Sequence, residues 1–200
     1  MPKPIDFYFD FSSPYGYLAA QRIDEVAEEH GRKVVWRPFL LGAVFKTTGA
    51  QPLLNIPMKG DYARHDLERS ARLFEIPFKL PERFPFMSVS ACRAFYWLAG
   101  RSAGEAKDLA LALYDRAFGE GLSIAEPGEV VEVAASLGHS ADAVRAALQD
   151  ADIKDRLRTE VDAAIGRGVF GSPSFMVYGE AFGGYDRLED VVLWLETGGW

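Results

Sequence analysis

Four short segments of this chain carry residue types that could do chemistry. The first is Ser12-Ser13-Pro14, which stands between an alternating apolar run and a helical pattern. Serine followed by proline marks a helix start. Unpaired backbone N–H groups and the partial positive charge at such an end stabilise an anion, a thiolate included. The Ser13 hydroxyl would add one donor there, or it serves only as the helix cap. The second is Val169-Phe-Gly-Ser172-Pro173, with a small residue before a proline at a strand start. A cis bond there would turn the preceding N–H and C=O outward, where an extended peptide can pair with them like an added strand. An ordinary strand-opening proline reads the same way. The third, Gly183-Gly184-Tyr185-Asp186-Arg187, puts a carboxylate just before a helix, as a cap or as a partner for a ligand ammonium. The fourth is Asn55-Ile-Pro57-Met-Lys59, followed by Tyr62, Asp66 and Arg69 on one helical face. A solvated surface accounts for that face equally simply.

Other chemistries have no residues to carry them. The chain has a single cysteine, Cys92, so an internal disulfide or a cysteine pair is excluded. His30, His65 and His139 are scattered, and no metal site is expected. No glycine-rich phosphate loop or Gly-x-Ser-x-Gly elbow is present. With 22 Lys+Arg against 29 Asp+Glu, the net charge is −7, which argues against a nucleic-acid or anionic-membrane binder. A 48% hydrophobic fraction over 200 residues is enough for a sizeable core. There is no apolar stretch of membrane-spanning length and no leader pattern in MPKPIDFYFDF, so a cytoplasmic protein is the expectation.

The elements that must hold these segments are legible in outline. Ile5, Phe7, Phe9 and Phe11 alternate with Asp6, Tyr8 and Asp10, the period of 2 expected in a strand. Ala19, Ile23, Val26 and Ala27 give one helical stripe from Pro14 to Gly31. Lys33 to Phe39 reads as a second strand, and Pro38 places it at an edge or an end. A strand, a crossover helix and a second strand make a parallel pair. Residues 40–60, with three glycines and two prolines, read as loop. From Asp61 to Val169 the pattern is helical, with stripes such as Ala63-Leu67-Ala71-Phe74 and helix starts at Ser102, Pro127 and Ser140. Residues 173–178 and 181–183 are two short strands, and Arg187 to Glu196 is a last helix.

These motifs occur together, in order, in a known family. The chain resembles the 2-hydroxychromene-2-carboxylate isomerases and kappa-class glutathione transferases of the DsbA-like thioredoxin superfamily. The likeness rests on Asp6-Phe-Tyr-Phe-Asp-Phe11 with Ser13-Pro14-Tyr15, Trp36-Arg-Pro-Phe-Leu-Leu-Gly42, Asn55-x-Pro57 with Lys59, Asp66-Leu-x-Arg69, Val169-Phe-Gly-Ser-Pro173 and Asp186-Arg187-Leu188. It implies an α/β fold, a thioredoxin-like βαβ…ββα core at residues 1–41 and 170–200 with an all-helical insertion at 42–169.

The resemblance also implies glutathione as cofactor and an aromatic 2-oxo acid as substrate. In the disulfide oxidoreductase branch a Cys-x-x-Cys pair opens the first helix. Ser13-Pro14-Tyr15-Gly16 stands there in this chain, which excludes thiol–disulfide exchange, and the resemblance implies that the sulfur arrives with glutathione. Ser13 matches the catalytic serine, Ser172 and Pro173 the backbone pairing the cysteinyl part, and Asp186 the partner of the γ-glutamyl ammonium, with Arg187 beside it. Asn55 and Lys59 match the glutathione side of the cleft. The family commonly has Asn where this chain has Tyr185. The implied reaction is glutathione-dependent interconversion of a cyclic hemiketal and a benzylidenepyruvate-like 2-oxo-enoate by transient thiolate addition. Phe39, Phe45, Phe84 and Phe86 are candidates for an aromatic acceptor pocket or for core. A glutathione transferase and a non-catalytic thioredoxin-fold binding module are the alternatives, and a homodimer is what the resemblance implies.

Overall fold

The computed structural model describes residues 3–200; the first two positions of the segment read as 1–41 lie outside the described residues. Four strands form one mixed sheet in the order β2-β1-β3-β4. Strand β1 (Ile5–Phe9) pairs in parallel with β2 (Val34–Pro38), Phe7 opposite Trp36. On its other side β1 pairs antiparallel with β3 (Ser174–Val177), which turns into the outer strand β4 (Glu180–Gly183). Pro38 ends β2 on the sheet edge, where its missing N–H leaves no ladder bond broken.

Of the polar alternates, Asp6 is half-buried beside Arg37 and Arg167. Tyr8 and Asp10 are as buried as Phe7 and Phe9, because a central strand is covered on both faces. Phe7, Phe9 and Phe11 pack against Trp36, Phe95 and Tyr114 with ring centroids 5.0–6.0 Å apart. Aromatic pairs in such geometries add about 0.5–1.5 kcal/mol each beyond their buried area. Tyr114 comes from the helical half of the chain, so sheet and helices share one core.

The helix expected from Pro14 to Gly31 is two helices, α1 (Pro14–Ala20) and α2 (Ile23–Glu29). Between them the N–H of Arg22 bonds back to Ala19 O at 3.0 Å, tightening the turn, and Arg22 leaves the helical conformation. Residues 41–48, read as loop, form helix α3 (Leu41–Thr48), which Gly49 closes in the left-handed conformation. Helices α4 (Lys59–Leu73), α5 (Val89–Ala99), α6 (Ala103–Tyr114), α7 (Pro127–Ser136), α8 (Ala141–Gln149) and α9 (Ala151–Gly166) follow before β3. Helix α10 (Leu188–Thr197) closes the chain. Ser102 and Ser140 cap α6 and α8 as their sequence signals predict, and Pro127 opens α7. No helix among the described residues is long and apolar enough to cross a membrane.

Candidate active site

The C-terminal end of β1 delivers the chain into Ser12-Ser13 and the start of α1. Ser13 is 5% exposed, and its Oγ accepts from Gly16 N at 3.0 Å, so it caps α1. The same oxygen donates to Ser172 O at 2.8 Å. That bond joins residues far apart in sequence and brings the first two predicted segments together. The Ser172–Pro173 peptide bond is cis. The Ser172 hydroxyl oxygen accepts from Asp10 N at 2.9 Å, a second tie between the two loops.

Beneath them lies a buried carboxylate that the sequence reading treated as one of the polar alternates of β1. Asp10 is 2% exposed and gathers four donors: Ser12 N, Ser12 Oγ, Leu41 N and Ser88 Oγ. These come from the serine turn, the start of α3 and the residue that opens α5. Burial pushes the Asp10 carboxyl above the ordinary carboxylate range, and the Ser88, Ser12 and Leu41 donors pull it back only in part. Its backbone carbonyl accepts from Ser13 N and from the Tyr114 hydroxyl, each bond tying the turn to the interior.

Gly16 is held by crowding. A Cβ there would stand 2.6 Å from the Tyr114 hydroxyl, 3.0 Å from Ser172 Oγ and 3.2 Å from Ser13 Cβ. Cys92 is fully buried, its Sγ 3.8 Å from Phe39 O, and burial pushes its thiol well up. It is a core residue and not an accessible nucleophile. Among the described residues no group of three or more His, Cys, Asp or Glu gathers as metal ligands.

A groove of about 680 Å³ runs outward past Ser172 and Pro173 to Tyr185 and Asp186. A pocket of about 370 Å³ adjoins it and includes Lys59; Tyr15, Leu53 and Tyr62 line both. Of the predicted site residues, Ser172, Pro173 and Asp186 line the groove and Lys59 the adjoining pocket. Ser13 lies behind Ser172, joined to it by its hydroxyl. Asn55 is exposed at the end of the Leu53–Asn55 turn and lines neither cavity. Arg187 lines neither as well; it pairs with Asp186 at 3.2 Å and Asp190 at 2.8 Å. Asp186 belongs to a short 3-10 turn, and Gly184 makes room for it at φ 115°, where a Cβ would stand 2.6 Å from the carboxylate.

The face Tyr62-Asp66-Arg69 forms one groove wall. Arg69 donates to the Tyr62 hydroxyl at 2.7 Å and to Asp66 at 2.7 Å, and Tyr15 donates to Asp66 at 2.7 Å. The groove is also lined by residues to which the sequence reading gave no role in a site. Arg22 donates to the Tyr185 hydroxyl and to Glu189, and its guanidinium sits over the Phe74 ring. Phe170 stands at the rim, 63% exposed. Phe39 belongs to the core at 1% exposed, and Phe84 and Phe86 are half-buried and pack against the core on Phe118. The rings available to a ligand are Tyr15, Tyr62, Phe74 and Phe170. The polar face on α4 and the segment before β3 were visible in sequence; that they converge on one groove was not.

The whole chain has known counterparts. A family model described as a DSBA-like thioredoxin domain matches residues 4–195. A 2-hydroxychromene-2-carboxylate isomerase of Sphingobium xenophagum is 31% identical over 191 residues, covering 94% of this chain and 96% of that protein. A kappa 2 glutathione S-transferase of Caenorhabditis elegans is 31% identical over 179 residues, covering 86% and 79%. Among solved structures, that of a 2-hydroxychromene-2-carboxylate isomerase superimposes with a TM-score of 0.85 at 29% identity, covering 94% of this chain and 91% of that one.

Proposed function

From the premise that the chain belongs to the DsbA-like thioredoxin domain family, we propose that it is a glutathione-dependent isomerase. Its substrate class is the aromatic 2-oxo-enoate and the corresponding 2-hydroxychromene-2-carboxylate hemiketal, after the relatives that match it over nearly full length. The observation that carries this reading is the 2.8 Å bond between Ser13 Oγ and Ser172 O at the inner end of a charged groove. It sets a hydroxyl donor against the Ser172 backbone where the groove begins, and the single cysteine, Cys92, is buried in the core.

The donor set suits glutathione. A tripeptide with one ammonium, two carboxylates and a thiol needs an anion, cations and a hydroxyl along an elongated cleft. Asp186 supplies the anion, Lys59 a cation in the adjoining pocket, and Ser13 the hydroxyl. When bound, glutathione would supply the thiolate that adds reversibly to the conjugated double bond, allows rotation and leaves unconsumed.

The chain's own residues do the rest. Ser13 turns its hydroxyl hydrogen from Ser172 O toward the sulfur, because an anion is the stronger acceptor. That donation stabilises the thiolate and lowers the thiol's pKa; the cap to Gly16 N uses the oxygen and is undisturbed. Helix α1 is only 7 residues long, so the hydroxyl carries more of this task than an uninterrupted helix would require. The Ser172 backbone beside cis Pro173 pairs with the cysteinyl unit, and Asp186 holds the γ-glutamyl ammonium. The aromatic rings of Tyr15 and Tyr62 face the conjugated substrate, and Lys59 its carboxylate or that of the glycyl end.

The test is a mixture of trans-o-hydroxybenzylidenepyruvate, enzyme and glutathione, followed by absorbance and by total free thiol. The expected result is interconversion that requires glutathione and leaves its concentration unchanged. Conversion without glutathione would overturn the reading. Stoichiometric loss of thiol into an adduct would favour the transferase reading, which the kappa-class relative supports.

A further inference from the structure

The break between α1 and α2 gives Arg22 a place of its own. We propose that Arg22 is the residue that holds the α-carboxylate of the γ-glutamyl group, an inference that rests on glutathione binding as proposed above. An amino-acid head group carries ammonium and carboxylate on one carbon, so an anionic receptor must have a cationic one next to it. Asp186 is the anionic receptor. Arg22 donates at 3.3 Å to the hydroxyl of Tyr185, the residue adjacent to Asp186, and both Arg22 and Asp186 line the same groove.

Two other cations are near, and each is less suited. Arg187 turns to Asp186 and Asp190 and does not line the groove. Arg69 is engaged on α4, where it bonds Tyr62 and Asp66. Their side chains are 52% and 49% exposed, against 19% for Arg22. A charge shielded from water attracts a carboxylate more strongly than an exposed one. The guanidinium is held over the Phe74 ring at 3.8 Å and 5.8 Å from the Tyr185 ring, so it is oriented before any ligand arrives. Two of its N–H groups go to Tyr185 and Glu189, and the planar fork has others to offer. Its ion-pair partner Glu189 is 72% exposed and is free to yield to an incoming carboxylate. Tyr185, standing where the family commonly has Asn, thus acts as the support of the cation.

The experiment is calorimetric titration with glutathione and with 4-aminobutanoyl-Cys-Gly, which keeps the ammonium and lacks the α-carboxylate. In the natural chain glutathione is expected to bind on the order of 10- to 100-fold more tightly than the analogue. Arg22→Ala should remove that preference by weakening glutathione alone, leaving the analogue within about 2-fold. Arg22→Lys should restore part of it, since a point charge lacks the fork. Glu189→Ala should keep or strengthen glutathione binding, whereas a purely structural ion pair would make it copy Arg22→Ala. Equal weakening of both ligands in Arg22→Ala, or no weakening, overturns the assignment. Failure of the natural chain to bind either ligand overturns the glutathione reading itself, a result distinct from the other two.

Discussion

The two ends of the groove are built on opposite plans. At the inner end, Ser13, Ser172 and Asp10 are tied together by donors and acceptors from five separate stretches of chain, and Ser13 and Asp10 are nearly closed to water. Toward the outer end, Arg69 and Asp186 stand in solvent and pair as ions with near neighbours in sequence, Asp66 and Arg187. Buried bonds between distant segments are part of the fold, because losing one leaves its partner unsatisfied in the interior. Exposed ion pairs contribute little to stability and can be rearranged by a ligand. The inner end therefore fixes where a sulfur is met, and the walls are where ligand preference can change without unfolding the chain.

That contrast can be broken at several points. The largest effect is expected from Asp10→Ala, which leaves Ser12 N–H, Leu41 N–H and the Ser88 hydroxyl without their acceptor. A loss on the order of 3 kcal/mol in urea unfolding is expected; a loss below about 1 kcal/mol would reduce Asp10 to an ordinary surface-like acid. The pH dependence carries a sign. A carboxyl whose folded pKa is raised binds its proton more tightly in the fold, so its contribution declines as pH rises from the ordinary carboxylate range to the raised value. The stability gap between natural chain and variant should shrink over that interval, and a flat gap would contradict the burial assigned to Asp10.

Next comes Gly16→Ala, whose methyl meets the Tyr114 hydroxyl. A cost of about 1–3 kcal/mol is expected. Adding Tyr114→Phe should recover part of it; strict additivity of the two changes would remove crowding as the cause. Ser13→Ala forfeits the cap, about 0.5–2 kcal/mol. It should also lower turnover and move the acid limb of the pH–rate profile upward, because the bound thiolate loses a donor. An unmoved limb would leave Ser13 a cap and nothing more. At the other extreme, Arg69→Ala should leave the urea midpoint unchanged while raising KM. A lowered midpoint would mean that the outer wall also belongs to the fold.

Much of the frame was readable from residue order, and the reasons are local. The Ser-Pro start of α1, Pro38 at the edge of β2, the caps Ser102 and Ser140, and the two tail strands all follow from signals a few residues long. The break at residues 21–22 was hidden because the apolar stripe resumes in phase on the far side. Helix α3 was hidden by Gly42 and Gly49, glycines that read as loop although the first is tolerated inside the helix and the second ends it. The burial of Asp10 was hidden because covering of both faces of β1 depends on helices far along the chain. Arg22 and Phe74 meet only after α2 and α4 are packed, and no spacing in the sequence connects them. Tyr62, Asp66 and Arg69 were visible as one face; that this face borders the groove required the fold.

The closeness of the Tyr114 ring to Gly16 also bears on how chemistry can be exchanged within this architecture. A chain with two cysteines at the start of its first helix needs room for a side chain at the fourth position. Here that room is taken by a hydroxyl from α6 and by Ser172. Installing cysteines at positions 13 and 16 would thus force the second thiol against a buried phenol, and a dithiol catalyst would need a third change inside the helical half. Conversion between a borrowed sulfur and a resident pair is a concerted remodelling across the molecule, and a designer starting from this chain should begin at Tyr114.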